Sequence, residues 1–307
     1  MASGFENWQP YMYTPSLAAA IIFTIVFVGV TAYASFQFYK ALRYPNIHPL
    51  DRKRTLIIIP FIVGGFCEII GCIARAVSSQ DDQARTPFII QSVLLLVAPA
   101  LFAATIYMIL GRIIAMLNSA HQSLIPLRFL TKIFVFGDVL SFLMQGTGAG
   151  IMSAGSHDNI STGESIIIAG LFIQIAFFSV FIVVTGLFQY RVLREPSLEA
   201  QGTRYTPSKV HNWQLIMFTL FACSILILVR CIVRAVEYIE GWDGYIISNE
   251  VFLYTLDLLL MFLNMVLLCW QDICGYFVEV GPISRDQNAG QSLTADSDGY
   301  NEAKVGF

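Results

Sequence analysis

Seven apolar runs divide the 307-residue chain, at roughly 16–39, 55–77, 87–110, 128–152, 165–190, 213–237 and 247–269. Each is close to the ~20 residues that an α-helix needs to cross a hydrocarbon core. Inside hydrocarbon every backbone N–H and C=O must find a partner within the protein, which leaves only helices or a closed barrel. The runs lack the period-two alternation of barrel strands, so the chain reads as an all-α membrane protein with seven transmembrane helices. Only 13% of its residues are charged, against about 25% in soluble domains.

Charge in the short connections sets an expected orientation, because basic loops stay in the cytosol. Lys40, Arg43, Arg52, Lys53 and Arg54 lie between helices 1 and 2. Arg112, Arg128 and Lys132 surround the 3–4 connection, and Arg191, Arg194, Arg204 and Lys209 the 5–6 connection. The opposite loops carry Asp81, Asp82, Asp158, Glu164, Glu240, Asp243 and Glu250, with Arg85 as their basic residue. The amino terminus is thus expected outside and the carboxyl terminus in the cytosol. Residues 1–15 read as an extracellular tail, 16–269 as the bundle and 270–307 as a largely disordered cytosolic tail, the last from its polar composition. Asn159 of Asn159-Ile160-Ser161 is a glycosylation candidate in an expected outside loop.

Short words recur along the chain. Tyr39–Pro45 (YKALRYP) leaves helix 1 and Tyr190–Pro196 (YRVLREP) leaves helix 5. Cys72–Val77 (CIARAV) ends helix 2 and Cys231–Val236 (CIVRAV) ends helix 6. Gln91 follows Arg75 at the distance at which Glu250 follows Arg234. Order and polarity agree with a 3+1+3 parallel repeat, helix 4 being the linker.

Ionisable and amide side chains inside spans are costly, so they lock helices together or line a pathway. At ~1.5 Å per residue, Glu68, Arg230, Asp257 and Gln174 fall about 12–15 Å from the outer helix ends. Gln145 is slightly shallower, Asp138 lies nearer the midplane, and Arg75, Arg234 and Glu237 lie near the surface. Arg230, Arg234 and Glu237 share one stripe of helix 6; Glu250, Tyr254, Asp257 and Met261 share one of helix 7. Glu68, Arg75, Gln91, Asp138, Gln145, Gln174, Arg230, Arg234, Glu237, Glu250 and Asp257 are the candidates for a ligand or proton pathway. Glu237, Glu68 and Asp257 are the expected partners of the arginines. Gly146, Gly148 and Gly150 suggest close helix contact, and Pro99 a kink in helix 3.

Several classes are disfavoured. His48, His121, His157 and His211 all fall in loops, so a zinc hydrolase lacks ligands in the bundle and no metal is expected. Helix 7 has no lysine for a retinal Schiff base, and the chain has no phosphate-binding Gly-rich Lys-Ser/Thr loop. No nucleophile–base constellation is visible, so the chain reads as a transporter or receptor without a cofactor rather than an enzyme. A net charge of −3 gives no basic surface for nucleic acid. The six cysteines sit in or beside apolar runs, which argues against a disulfide framework; Cys269 and Cys274 are palmitoylation candidates.

The chain resembles the fungal RTA-like family, named for resistance to aminocholesterol and also called lipid-translocating exporters. The resemblance runs from about Tyr13 to Trp270. It rests on Tyr13–Ser16 (YTPS), on Glu68, Gly71 and Arg75, and on Ala98–Ile113 (APALFAATIYMILGRI). Asp138, Gln145–Gly150 (QGTGAG) and Gly170–Gln174 (GLFIQ) extend it. Arg230, Arg234, Glu237, Gly241 and Gly244, then Glu250, Tyr254, Asp257 and Met261, complete it. A His-Pro pair frequent in relatives after helix 7 is replaced here by CWQDICGYF.

The resemblance implies a multi-pass protein of the plasma membrane, linked to sphingoid base export, phospholipid asymmetry and toxin or drug resistance. The leading expectation is an exporter or translocator of lipids or other amphiphiles, with membrane lipid or an amphiphilic small molecule as its partner. The alternative is a seven-helix receptor or membrane-stress sensor with a cytosolic or membrane regulatory partner.

Overall fold

A computed structural model describes residues 16–43, 55–80, 85–119, 123–152, 157–195, 212–240 and 250–277. Of the expected tails 1–15 and 270–307, residues 1–15 and 278–307 lie outside these, as do His48, His121, His211, Gly241 and Gly244; residues 273–277 are helical, with Ile273, Cys274, Tyr276 and Phe277 buried, so the packed chain continues past 269. So do several of the charges that set the expected orientation: Arg52, Lys53, Arg54, Asp81, Asp82, Arg204, Lys209 and Asp243.

Seven helices are long and apolar enough to cross a membrane, and no strand occurs among the described residues. They are α1 (Leu17–Leu42), α2 (a tight turn at Leu56–Ile58, then Ile59–Ser78), α3 (Arg85–Met116) and α4 (Leu127–Met152). Then come α5 (His157–Arg194), α6 (Trp213–Glu240) and α7 (Glu250–Leu253, a π-turn at Tyr254–Leu258, and Leu259–Trp270). The chain is therefore an all-α, multi-pass membrane protein.

Local chemistry sets the helix ends. The Ser16 hydroxyl caps α1 by accepting from the Ala19 N–H. Pro60 sits in the first turn of α2, where its missing N–H has no helical partner to lose. After α3, Asn118 turns left-handed (φ 49°), a conformation asparagine tolerates better than most residues. α5 starts eight residues before the expected apolar run, so Asn159 and His157 lie in its first turn rather than in a loop. Polar helical turns can continue past the hydrocarbon, where hydropathy no longer marks them.

Consecutive helices pack against one another, and α3 sits inside, against α2, α4 and α6. The most apolar stretch of α3 is 56% buried, that of α1 only 22%, so α3 forms the centre and α1 faces lipid. α1 closes onto both α2 and α7. A Cβ on Gly65 would lie 2.5 Å from the Thr31 hydroxyl, and Gln37 donates to the Cys269 carbonyl at 2.8 Å. Exposed Ile25, Phe36, Phe136, Phe218 and Val251, spread over four helices, are what lipid contact requires. Cys269 and Cys274 are buried, which removes the access that acylation needs.

The α4–α5 seam corrects the glycine reading. A Cβ on Gly148 would stand 2.5 Å from the Gly163 carbonyl oxygen, whereas Gly146 and Gly150 meet nothing within 4 Å. Only Gly148 of the three brings backbones together, because the helical period turns the other two outward. Gly148→Leu is expected to cost about 1–3 kcal/mol by overpacking. Gly146→Leu should change stability by no more than about 0.5 kcal/mol. Thermal unfolding in detergent checks the contrast, and equal effects would refute it.

Candidate functional site

The charged side chains gather where α2, α3, α6 and α7 meet. Arg230 on α6 donates through Nε to Asp257 Oδ1 and through Nη2 to the Leu95 carbonyl at 2.7 Å. Arg234, one turn on, donates to Asp257 Oδ2 at 2.6 Å and to Glu237 Oε2 at 3.0 Å. Asp257 thus holds two guanidinium groups, one on each oxygen. Arg230 is 2% exposed and Asp257 5%, so these charge-assisted bonds lie inside the bundle.

The Leu95 acceptor has a covalent origin. Pro99 lies inside α3, four residues after Leu95, and has no N–H to give the Leu95 carbonyl. That carbonyl would be orphaned in an apolar interior, and Arg230 takes it. The expected kink residue is therefore also the reason Arg230 can bridge α3 and α7. Gly71 leaves room for this, since a Cβ there would be 2.9 Å from Leu95 Cδ2. Asp257 itself sits in the π-turn of α7, where Leu259 N–H reaches back to the Tyr254 carbonyl. Such turns disturb the regular ladder and re-aim side chains.

A second clamp lies at the end of the bundle where α1 begins. The Arg75 Nη2 donates to Glu250 Oε1 at 2.8 Å, and its Nε to the Tyr254 hydroxyl at 3.0 Å. Both Glu250 oxygens accept from the Ser16 N–H at 2.9 Å, and the Tyr254 hydroxyl donates to the Ser16 carbonyl at 3.3 Å. Among the described residues the carboxylate that pairs with Arg75 is thus Glu250, where Glu68, Asp257 or Glu237 was expected, and the clamp ties α1, α2 and α7.

Glu68 on α2 is the exception among these acids. It is fully buried and neither carboxyl oxygen has a hydrogen-bond partner, although Asp257, Arg230 and Arg234 act on it electrostatically. Two guanidinium groups face three carboxyls (Asp257, Glu237 and Glu68), so one negative charge is left over when all are ionised. Asp138 on α4 is also buried, and the Tyr107 hydroxyl of α3 faces its carboxyl as a donor without closing a full hydrogen bond. Gln145 donates to Gln174 at 3.1 Å across the α4–α5 seam, and so bonds to its neighbour rather than to the charged cluster. Gln91 is buried on α3.

Residues absent from the sequence reading also belong to this interior. Asn264 is fully buried with neither amide atom partnered, and Gln271 is 1% exposed. Glu250, Asp257, Asn264 and Gln271 stand seven apart, so one face of α7 carries a polar group every two turns. That spacing was the available signal. Among the described residues no group of His, Cys, Asp and Glu suits a metal ion.

Comparison with known proteins places this arrangement. A family model described as "RTA1 like protein" matches residues 61–279. Protein RTM1 of Saccharomyces cerevisiae is 40% identical over 85% of this chain and 90% of its own length. Protoporphyrin uptake protein 1 of Saccharomyces cerevisiae is 42% identical over 87% of this chain and 92% of its own. A sphingoid long-chain base transporter of the same yeast, RSB1, is 28% identical over 66% of this chain and 60% of its own. No solved structure matches.

Proposed function

The chain belongs to the RTA1-like family, and from that membership we propose that it moves an amphiphile with a cationic head across the membrane. The observation that carries this reading is Glu68, fully buried with both carboxyl oxygens unpartnered. Leaving a buried polar group unpaired costs about 1–3 kcal/mol, and more for a charged one. Arg230, Arg234 and Arg75 are already engaged with carboxylates. The open valence of the site is therefore acidic, and an ammonium head complements it while the lipid tail stays in hydrocarbon. The relative named for a sphingoid long-chain base supports an amine head, and the one named for protoporphyrin supports an amphiphilic cargo without fixing its charge.

In this reading the end bearing Ser16 and Arg75 faces the outside of the plasma membrane, following the charge of the loops, and the carboxyl-terminal tail lies in the cytosol. The 3+1+3 repeat also belongs to it. Pro99 stands 24 residues after Arg75, and Leu258, the last residue of the π-turn, 24 after Arg234. Both halves thus break the backbone ladder of their third helix at the same register. Discontinuous helices near the middle of a membrane are common at transport sites.

Purified protein in liposomes tests the proposal with three labelled probes: a long-chain primary amine, a neutral lipid and an anionic porphyrin. The expected result is movement of the amine in preference to the others, lost in Glu68→Gln. No headgroup-selective movement sinks the transport reading. Preference for the anionic probe overturns the cationic head, and saturable amine binding without movement favours a sensor instead.

A further inference from the structure

We infer that Asp138 and Tyr107 form a proton-binding site in the middle of the bundle, separate from the Glu68 cluster, in which Asp138 is held as the neutral acid. The geometry differs from that around Glu68. Glu68 has two guanidinium groups in range, but among the described residues no cation acts on Asp138. Its ionisable neighbours are the Tyr107 hydroxyl from α3 and, more distantly, Cys231 from α6. From its own helix Phe134 packs on Tyr107, and α5 contributes Phe178 and Phe181, with ring centroids 4.5–5.8 Å from that of Tyr107. Phe177 of α5 covers the adjacent Gly137.

An ionised carboxylate buried beside this aromatic cluster, without a cation, bears a large desolvation penalty, and such groups neutralise instead. Asp138 is 4% exposed and the Tyr107 hydroxyl is fully buried and unpartnered, so neither gains compensation from solvent. One proton on Asp138 removes the charge. It also creates an O–H donor beside the Tyr107 hydroxyl, which can accept it. Asp138 stays neutral while α3, α4 and α5 are packed; opening the α3–α4 contact to water lets it release the proton. Arg230 and Cys231 are adjacent on α6, so a movement of α6 that frees the amphiphile site is transmitted to Asp138. The second step rests on the transport reading; the protonation of Asp138 does not.

Infrared difference spectroscopy on the protein in lipid reads protonation directly. The wild type at neutral pH is expected to show a carboxylic-acid C=O band that disappears in Asp138→Asn and shifts in frequency in Tyr107→Phe. No acid band lost in Asp138→Asn overturns the site. If that variant does not fold, an unshifted band in Tyr107→Phe overturns it. Vesicles with an imposed pH gradient read the coupling. With one proton per substrate, a gradient of about one pH unit sustains about tenfold accumulation of the amine probe, and Asp138→Asn is expected to abolish that accumulation. Wild-type transport indifferent to the gradient overturns the coupling while leaving the transporter standing. Wild-type protein that moves nothing overturns the transporter, and the infrared result alone then decides the site.

Discussion

Asp257→Leu is expected to remove about 3–5 kcal/mol of stability, the range for breaking a buried ion pair from one side. The carboxylate is the shared partner of Arg230 and Arg234, with 7% of its side chain exposed. Without it Arg234 keeps Glu237, but Arg230 keeps only the Leu95 carbonyl, a neutral acceptor that cannot offset a buried cation. Glu68 could move in to replace the lost charge, and Glu68→Gln should therefore deepen the loss in the Asp257→Leu background. Glu250→Gln, at a half-buried clamp where Ser16 and Tyr254 also contribute, should cost about 1–3 kcal/mol. Denaturant titration in mixed micelles measures all of these. An Asp257→Leu loss no larger than that of an exposed pair, about 1 kcal/mol or less, would rule out the shared-partner role.

Arg230→Met should cost about 3 kcal/mol or more, less than Asp257→Leu because Asp257 then still holds Arg234. Part of that cost is the Leu95 carbonyl, left without a donor because Pro99 supplies none. Pro99→Ala restores an N–H to α3. The same Arg230→Met change should then be less damaging, and a double-mutant cycle should return a coupling of about 0.5–3 kcal/mol. Additive effects would show that Arg230 serves only the carboxylate and that the proline is incidental to it.

The seven helices were legible in the chain because crossing hydrocarbon is a local requirement, met by about twenty apolar residues and the helix's own hydrogen bonds. The start of α5 was not, because the residues from His157 to Glu164 are polar and hydropathy marks a membrane, not a helix. The three glycines of Gln145–Gly150 look alike in sequence, yet only Gly148 meets another backbone. Which one does so depends on the azimuth of α4 against α5.

The interior acids show the same division. The sequence by itself determined that Glu68, Asp138 and Asp257 lie within spans and that Arg230, Arg234 and Glu237 share a stripe, since depth and face follow from counting along a helix. It could not say which acid takes the arginines, because residues at equal depth on different helices differ only in how those helices are rotated and spaced. Only the tertiary structure decided that Asp257 is doubly engaged, that Arg75 belongs to Glu250, and that Glu68 and Asp138 remain unpartnered. Hydrogen bonding requires a separation of about 3 Å and a direction, and both are set by the packing of four helices rather than by any one of them.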